Sequence, residues 1–428
     1  MEISTSLHAI SRTDLSADAR LEALRVLKTA ADRGEIAPDK PGDFVNNHIH
    51  TSYSFSPYTP ASAVFYAWRA GLKTAGIMDH DSVGGAKEFL AAGKIFQLPV
   101  TVGFECRVSV AGTPMEGRRL NNPDQISCAY VAMHGIPHQS LNEAERILAP
   151  LRARRNERNR VMCARITELI AASGLSLDFE RDVLPLSMAH EGGSVTERHV
   201  LFALTRRLTA ANPAREDCLG AIERVIDRPL TAKERAKLLD APEAYYEYDI
   251  LGILKSDMVA RFYVPAEAEC MHVSEFTALA ERLGAVSAYA YLGDVGESVT
   301  GDKKAQKFED GFLDELFEEL HRQHFRAVTY MPSRNTMAQL TRVMSLCERY
   351  DLFQISGEDI NSPRQSFLCP ALAREEFRHL HAAAFALIGH ERAASARLED
   401  GMFSGAVLAR MPSLSARIAH YAAIGAAD

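Results

Sequence analysis

Short apolar runs that close on polar or ionisable residues recur along this chain, most of them followed by a stretch of helical periodicity. The runs are FVNNHIH (44–50), TAGIMDH (74–80), PVTVGFE (99–105), CAYVAMH (128–134), AVSAYAY (285–291), FRAVTYM (325–331) and FQISGED (353–359). Their length suits strands. Between them, ASAVFYAWRAG, GAKEFLAAGKIF, KFEDGFLDELFEELHRQ and MAQLTRVMSLCERY place apolar residues at helical spacing. Strands alternating with helices predict a parallel sheet or an α/β barrel. The pattern breaks over 140–280, which reads as a mostly helical, charged insertion. Residues 1–43 read as a helical N-terminal extension that ends near Gly34, Pro38 and Pro41. The barrel therefore falls into a first part, 44–139, and a second part, 281–428, that carries C-terminal helices.

Composition narrows the class. The chain has 428 residues, 47% hydrophobic and 24% charged, which excludes disorder, collagen and coiled coil as the main architecture. A net charge of -8 argues against a general nucleic-acid coat and leaves only a local basic groove open. Seven scattered cysteines without a C-x-x-C pair read as reduced thiols. The N-terminus lacks an apolar signal region and no run nears the ~18 apolar residues of a membrane span, so the expectation is a cytoplasmic protein without a membrane partner.

Ionisable residues gather at the ends of the expected strands. His48 and His50 alternate on one strand and so share a face. Asp79 and His80 end the second run, Glu105 the third and His134 the fourth, and Asp359 closes the seventh. Barrel active sites are built at such ends. Imidazole with carboxylate is ligand chemistry for Zn, Mn and Fe, and paired ions can hydrolyse a phosphoester.

The stretches NHIHTSYS, GIMDHDSVGG, VGFECRV, AMHG and ISGEDINSP together resemble the ordered motifs of the PHP (polymerase and histidinol phosphatase) superfamily. The resemblance covers the barrel strands, about half the chain. It implies a distorted seven-stranded (β/α)7 TIM-like barrel holding divalent metal, with a metal-activated water attacking phosphorus. Carried over by position, it makes His48, His50, Glu105 and Asp359 ligands of a first ion. His134 joins Glu105 at a second ion, and His199 in TERHV matches a further family histidine. His80 becomes an acid, base or substrate-binding group, and Asp79 supports the site from beside it or orients a ligand imidazole. Phe55, Tyr289 and Asn361 stand where the family carries a carboxylate or an imidazole, which reduces the expected centre to one or two ions.

Arg118, Arg119, Arg334 and Arg364 lie in loops after the third, sixth and seventh runs and are candidates for phosphate recognition, with Asn361 beside them and Lys303 and Lys304 after the fifth. SMAHEGGSVTERHV (187–200) reads as a flap between insertion and site. The basic helix LRARRNERNR (151–160) reads as a solvated face ahead of a nucleic-acid contact. The expected function is hydrolysis of a small phosphorylated metabolite or nucleotide. The alternatives are a nuclease on short oligonucleotides, a PHP protein that has kept binding and lost catalysis, and non-phosphate chemistry with Tyr289 or Tyr291 as an acid.

Overall fold

The computed structural model describes residues 2–40, 42–295 and 306–427; Lys303 and Lys304 lie outside the described residues. The sheet is built from β1 (Phe44–Ile49), β2 (Leu72–His80), β3 (Val100–Ser109), β4 (Cys128–His134), β5 (Met271–His272), β6 (Val286–Ala290), β7 (Ala327–Tyr330) and β8 (Phe353–Ser356). All but β5, which pairs only with β3, follow one another round a nearly closed seven-stranded barrel. The seam between first and last strands is drawn together by Ile360: its N–H donates to His48 O (3.2 Å) and its carbonyl accepts from His50 N–H (3.0 Å). The architecture is a distorted TIM-like α/β barrel.

One strand departs from the expected parallel order. β4 runs antiparallel to both β3 and β6. A parallel return needs a crossover, usually a helix, and the segment GTPMEGRRLNNPDQ between β3 and β4 has no helical period. The chain instead doubles back, with Cys128 opposite Ser109.

Helices α1 (Ile3–Ile10) and α2 (Ala17–Asp32) form the N-terminal extension, and α3 (Pro60–Ala70) and α4 (Ala86–Phe96) follow β1 and β2. Local signals set these limits: Thr59 caps α3 by accepting from Ser62 N–H, Pro60 opens its first turn, and Gly71 ends it at φ +96°. The extension is fastened to the barrel by a buried fork in which Arg20 donates to both Glu88 oxygens (2.8 and 2.6 Å). The insertion carries α5 (Leu141–Leu169), α6 (Glu197–Ala211), α7 (Arg215–Ile226), α8 (Ala232–Leu239) and α9 (Glu243–Phe262). Its apolar residues from Met162 to Phe262 form a hydrophobic cluster of their own, whereas Leu141, Ala144, Leu148 and Leu151 of α5 pack into the barrel core.

After α10 (Val273–Leu283), α11 (Leu313–Arg322) and α12 (Met337–Arg349), the chain ends in α13 (Arg378–Ala396), α14 (Gly405–Arg410) and α15 (Leu414–Ala426). Ala383, Ala386 and Leu387 of α13 pack with Met78, Ala132, Ala288 and Ile355, flooring the barrel. Glu391 of α13 accepts from Thr101 Oγ1 and Val102 N–H, both at 2.7 Å, and so pins the start of β3. Among the described residues no helix is long and apolar enough to cross a membrane.

Candidate metal centre

Period-two alternation on β1 turns His48 and His50 to the same side, and both are buried. Glu105 of β3 meets them there. Its Oε1 lies 3.3 Å from His50 Nε2 and 3.0 Å from His80 Nδ1, and its Oε2 lies 3.7 Å from His48 Nε2. Asp359, just after β8, brings Oδ1 to 3.1 Å from His50 Nε2. Donor atoms of His48, His50 and Asp359 lie within 4.8 Å of one another, as do those of His50, His80 and Glu105.

The electrostatics favour ionised carboxylates, and against burial the charge of Asp359 raises His50. Burial opposes ionisation of Glu105, but its electrostatic and hydrogen-bonding interactions with the His80 and His48 rings outweigh it and hold the carboxyl well below the usual range. Asp359 is likewise held low against burial, chiefly by His50. Burial lowers His80, and its carboxylate neighbour does not offset this. His48 Nε2, His50 Nε2 and His80 Nδ1 are buried nitrogens that face carboxylates off the axis of a hydrogen bond. Buried lone pairs aimed at a shared volume between ionised carboxylates fit a divalent ion.

Behind the centre, Asp79 accepts three hydrogen bonds of 2.6 Å, from Thr51 N–H, Thr51 Oγ1 and Ser54 Oγ. Ser54 Oγ lies 3.2 Å from His50 Nδ1, which leaves Nε2 to face the carboxylates. Asp79 is thus saturated, and it connects to His50 through Ser54, the arrangement of a supporting carboxylate. His134 belongs to neither donor group. Both its nitrogens are buried without a partner, and burial with the nearby His48 charge lowers it to about 3. His199 spends Nδ1 on the start of α6, accepting from Thr196 N–H (3.0 Å), and also stands outside both groups.

A cavity of about 190 Å³ opens beside His48, His80, Glu105 and Asp359. Arg334 lines it, together with Arg198 and Lys255, which the sequence reading passed over. Arg198 donates to Asn361 Oδ1, and Asn361 Nδ2 donates in turn to Asp359 Oδ1 (2.5 Å). The other candidate arginines are engaged elsewhere. Arg118 pairs with Glu315 (2.5 Å), Arg119 donates to Pro123 O, and Arg364 forks onto Asp249 (2.6 and 2.7 Å).

Phe55, Tyr289 and Tyr291 have destinations of their own. Phe55 packs against His199, Phe202 and Tyr248 in the core of the insertion. Tyr289 alternates with Ala290, which lines the cavity, so its ring points away from it toward Leu316, Leu320 and Phe325. Tyr291 donates its hydroxyl to Asp310 (2.6 Å).

Helix 151–160 is not the solvated face expected. Arg152, Arg155 and Arg158 are buried. Arg158 reaches Glu269 and Glu197 (both 2.7 Å), and Arg107 of β3 reaches the same two carboxylates at 2.9 and 2.8 Å. The 187–200 segment is fastened down: Tyr53 hydroxyl donates to Glu191 (2.6 Å), Ser82 Oγ to Gly192 O (2.7 Å), and Ser194 N–H to Tyr53 O (2.7 Å).

No family model matches the sequence, and no curated protein matches it. Among solved structures, the chain resembles a proposed metal-dependent phosphoesterase from Bifidobacterium adolescentis, with TM-score 0.51 and 19% identity over 79% of this chain and 96% of that one. An amidohydrolase from Chromobacterium violaceum, solved with sulfate and no metal, aligns with TM-score 0.49 and 18% identity over 79% of this chain and 96% of that one. At 19% identity the first likeness shows the fold alone.

Proposed function

We propose that this chain is a metal-dependent phosphoesterase of the PHP superfamily acting on a small phosphorylated metabolite or nucleotide. The observation that carries the reading is the convergence of the buried His48 and His50 and the half-buried His80 on Glu105 and Asp359, with buried facing nitrogens that make no hydrogen bond. His48, His50 and Asp359, with Glu105 beside them, are the set for one ion of Zn, Mn or Fe. Such an ion supplies Lewis acidity toward the phosphoryl oxygens and activates water.

The remaining work falls to the chain. Asp79 and Ser54 hold the His50 ring in place. Arg198, Arg334 and Lys255 bind the substrate phosphate from the cavity wall, where guanidinium groups match its oxygens. Kept neutral by burial, His80 accepts the proton of the attacking water at Nε2, the nitrogen turned from Glu105. A second ion in the group of His50, His80 and Glu105 takes His80 as a ligand instead, and metal stoichiometry separates the two arrangements.

The test is elemental analysis of chelator-free protein, followed by a phosphomonoester panel with a short labelled oligonucleotide included. One or two equivalents of Zn, Mn or Fe are expected, with turnover that His50→Ala and Asp359→Ala abolish while circular dichroism stays unchanged. Turnover that survives both substitutions refutes the reading. Preference for the oligonucleotide makes the protein a nuclease.

A further inference from the structure

Directly after His80 stands Asp81, a non-glycine residue at φ +47° and 3% exposed. The left-handed region costs an L-residue about 1 kcal/mol, so groups outside the residue must hold it there. Three do. Its N–H donates to Glu105 O (2.8 Å), its carbonyl accepts from Arg152 (3.0 Å), and its carboxylate pairs with Arg155 at 2.5 Å. Only the first comes from the barrel, and the other two come from α5 of the insertion. Arg155 is fixed in its turn, with Nε 3.0 Å from Glu269 and a terminal nitrogen 3.2 Å from Ser194 Oγ. Glu269 is itself gripped by Arg107 and Arg158. The turn that aims His80 at Glu105 is therefore shaped by a buried ion pair from a distant part of the chain.

We propose that Arg155 is a positioning residue for His80, acting through Asp81 to fix how the chain leaves β2 and where the imidazole sits. This rests on the reading of the cluster around Glu105 as the reaction site, and it gives the insertion a share in building that site. A plain staple between insertion and barrel affects stability alone. A positioning residue affects kcat, and does so only while Asp81 is present.

The experiment compares Arg155→Met and Arg155→Lys in the full metal-loaded chain, each with and without Asp81→Gly, and adds crystal structures of wild type and both arginine variants. Arg155→Met is expected to lower kcat roughly 100-fold with KM little changed, the scale of a misplaced group. Arg155→Lys, which keeps a cation beside Asp81, restores part of it. In the Asp81→Gly chain glycine adopts positive φ freely and the ion pair is gone, so Arg155→Met adds no further loss. An equal loss in both backgrounds overturns the proposal, as does a His80 ring that keeps its 3.0 Å contact with Glu105 in the Arg155→Met structure. If Arg155→Met does not fold, Arg155→Gln, which also removes the cation beside Asp81, takes its place in both readouts. If the wild type turns over no phosphoester, the functional reading fails, while the ring position in the variant structures still judges the positioning claim.

Discussion

Replacing Asp79 by Asn separates support of the centre from participation in the reaction. The carboxylate is buried and accepts two hydrogen bonds at Oδ1, from Thr51 N–H and Ser54 Oγ, and one at Oδ2 from Thr51 Oγ1. An amide keeps one oxygen. Its best placement leaves that oxygen at Oδ1 and turns the NH2 toward the Thr51 hydroxyl, which rotates to accept. All three bonds then lose charge assistance, falling from about 1.5–3 kcal/mol to about 1 kcal/mol each, so stability drops by roughly 1.5–6 kcal/mol. Ser54, no longer held to a charge, loosens its grip on His50 Nδ1. Loss of such support lowers metal affinity roughly 10- to 100-fold. Urea denaturation of chelated protein reads the first effect, and competition against a chromophoric chelator reads the second. At saturating metal, kcat is expected to stay near wild type. Unchanged affinity with a collapsed kcat refutes the reasoning and puts Asp79 in the reaction itself.

Further consequences can be checked on stability alone. Burial and the His48 charge hold His134 at about 3, and burial does the same to His199. In chelated protein the unfolded state therefore binds protons that the folded state refuses. The stability these residues contribute is full above roughly pH 6.5 and is lost as pH falls toward 3. His134→Leu should flatten the pH dependence of the urea midpoint across that window, and an unchanged slope disproves the assignment. Arg20→Met leaves Glu88 buried and unpaired, at a cost of about 3–5 kcal/mol, which Arg20→Met with Glu88→Leu should largely recover. Equal losses in single and double variants would show that the pair does not anchor the extension. A Cβ at Gly389 would meet Tyr421 O at 1.9 Å, so Gly389→Ala should lower stability by about 1–3 kcal/mol; an unaltered melting temperature contradicts the close crossing of α13 and α15.

The seven apolar runs were legible because strand length, turn residues and helical intervals all point the same way, and each run coincides with a barrel strand to within a few residues. The direction of β4 was also written in the chain, in the helix-free connection from 110 to 127, but counting strands does not weigh connections. His48, His50, Glu105 and Asp359 stood out because ionisable residues at strand ends need a reason. Arg155 and Arg158 did not, because their partners Glu197 and Glu269 lie far along the chain and no spacing rule links them. Arg198 was overlooked beside the more conspicuous His199, and Lys255 carries no local signal. Phe55 looked like a lost ligand, yet its ring belongs to the core of the insertion, a contact visible only once the two meet in space.

The antiparallel β4 also bears on how this protein comes off the ribosome. Its second neighbour, β6, is made only after the whole insertion, and Glu391 reaches Thr101 across 290 residues. At 5–20 residues per second the nascent chain holds a half-made sheet, with β1 and β4 as bare edges, for roughly 10–30 s. Bare edges invite pairing with other chains. Contacts already synthesised have to carry that interval, and the Arg20–Glu88 fork, which closes α2 over α4 before β4 exists, is available from its start.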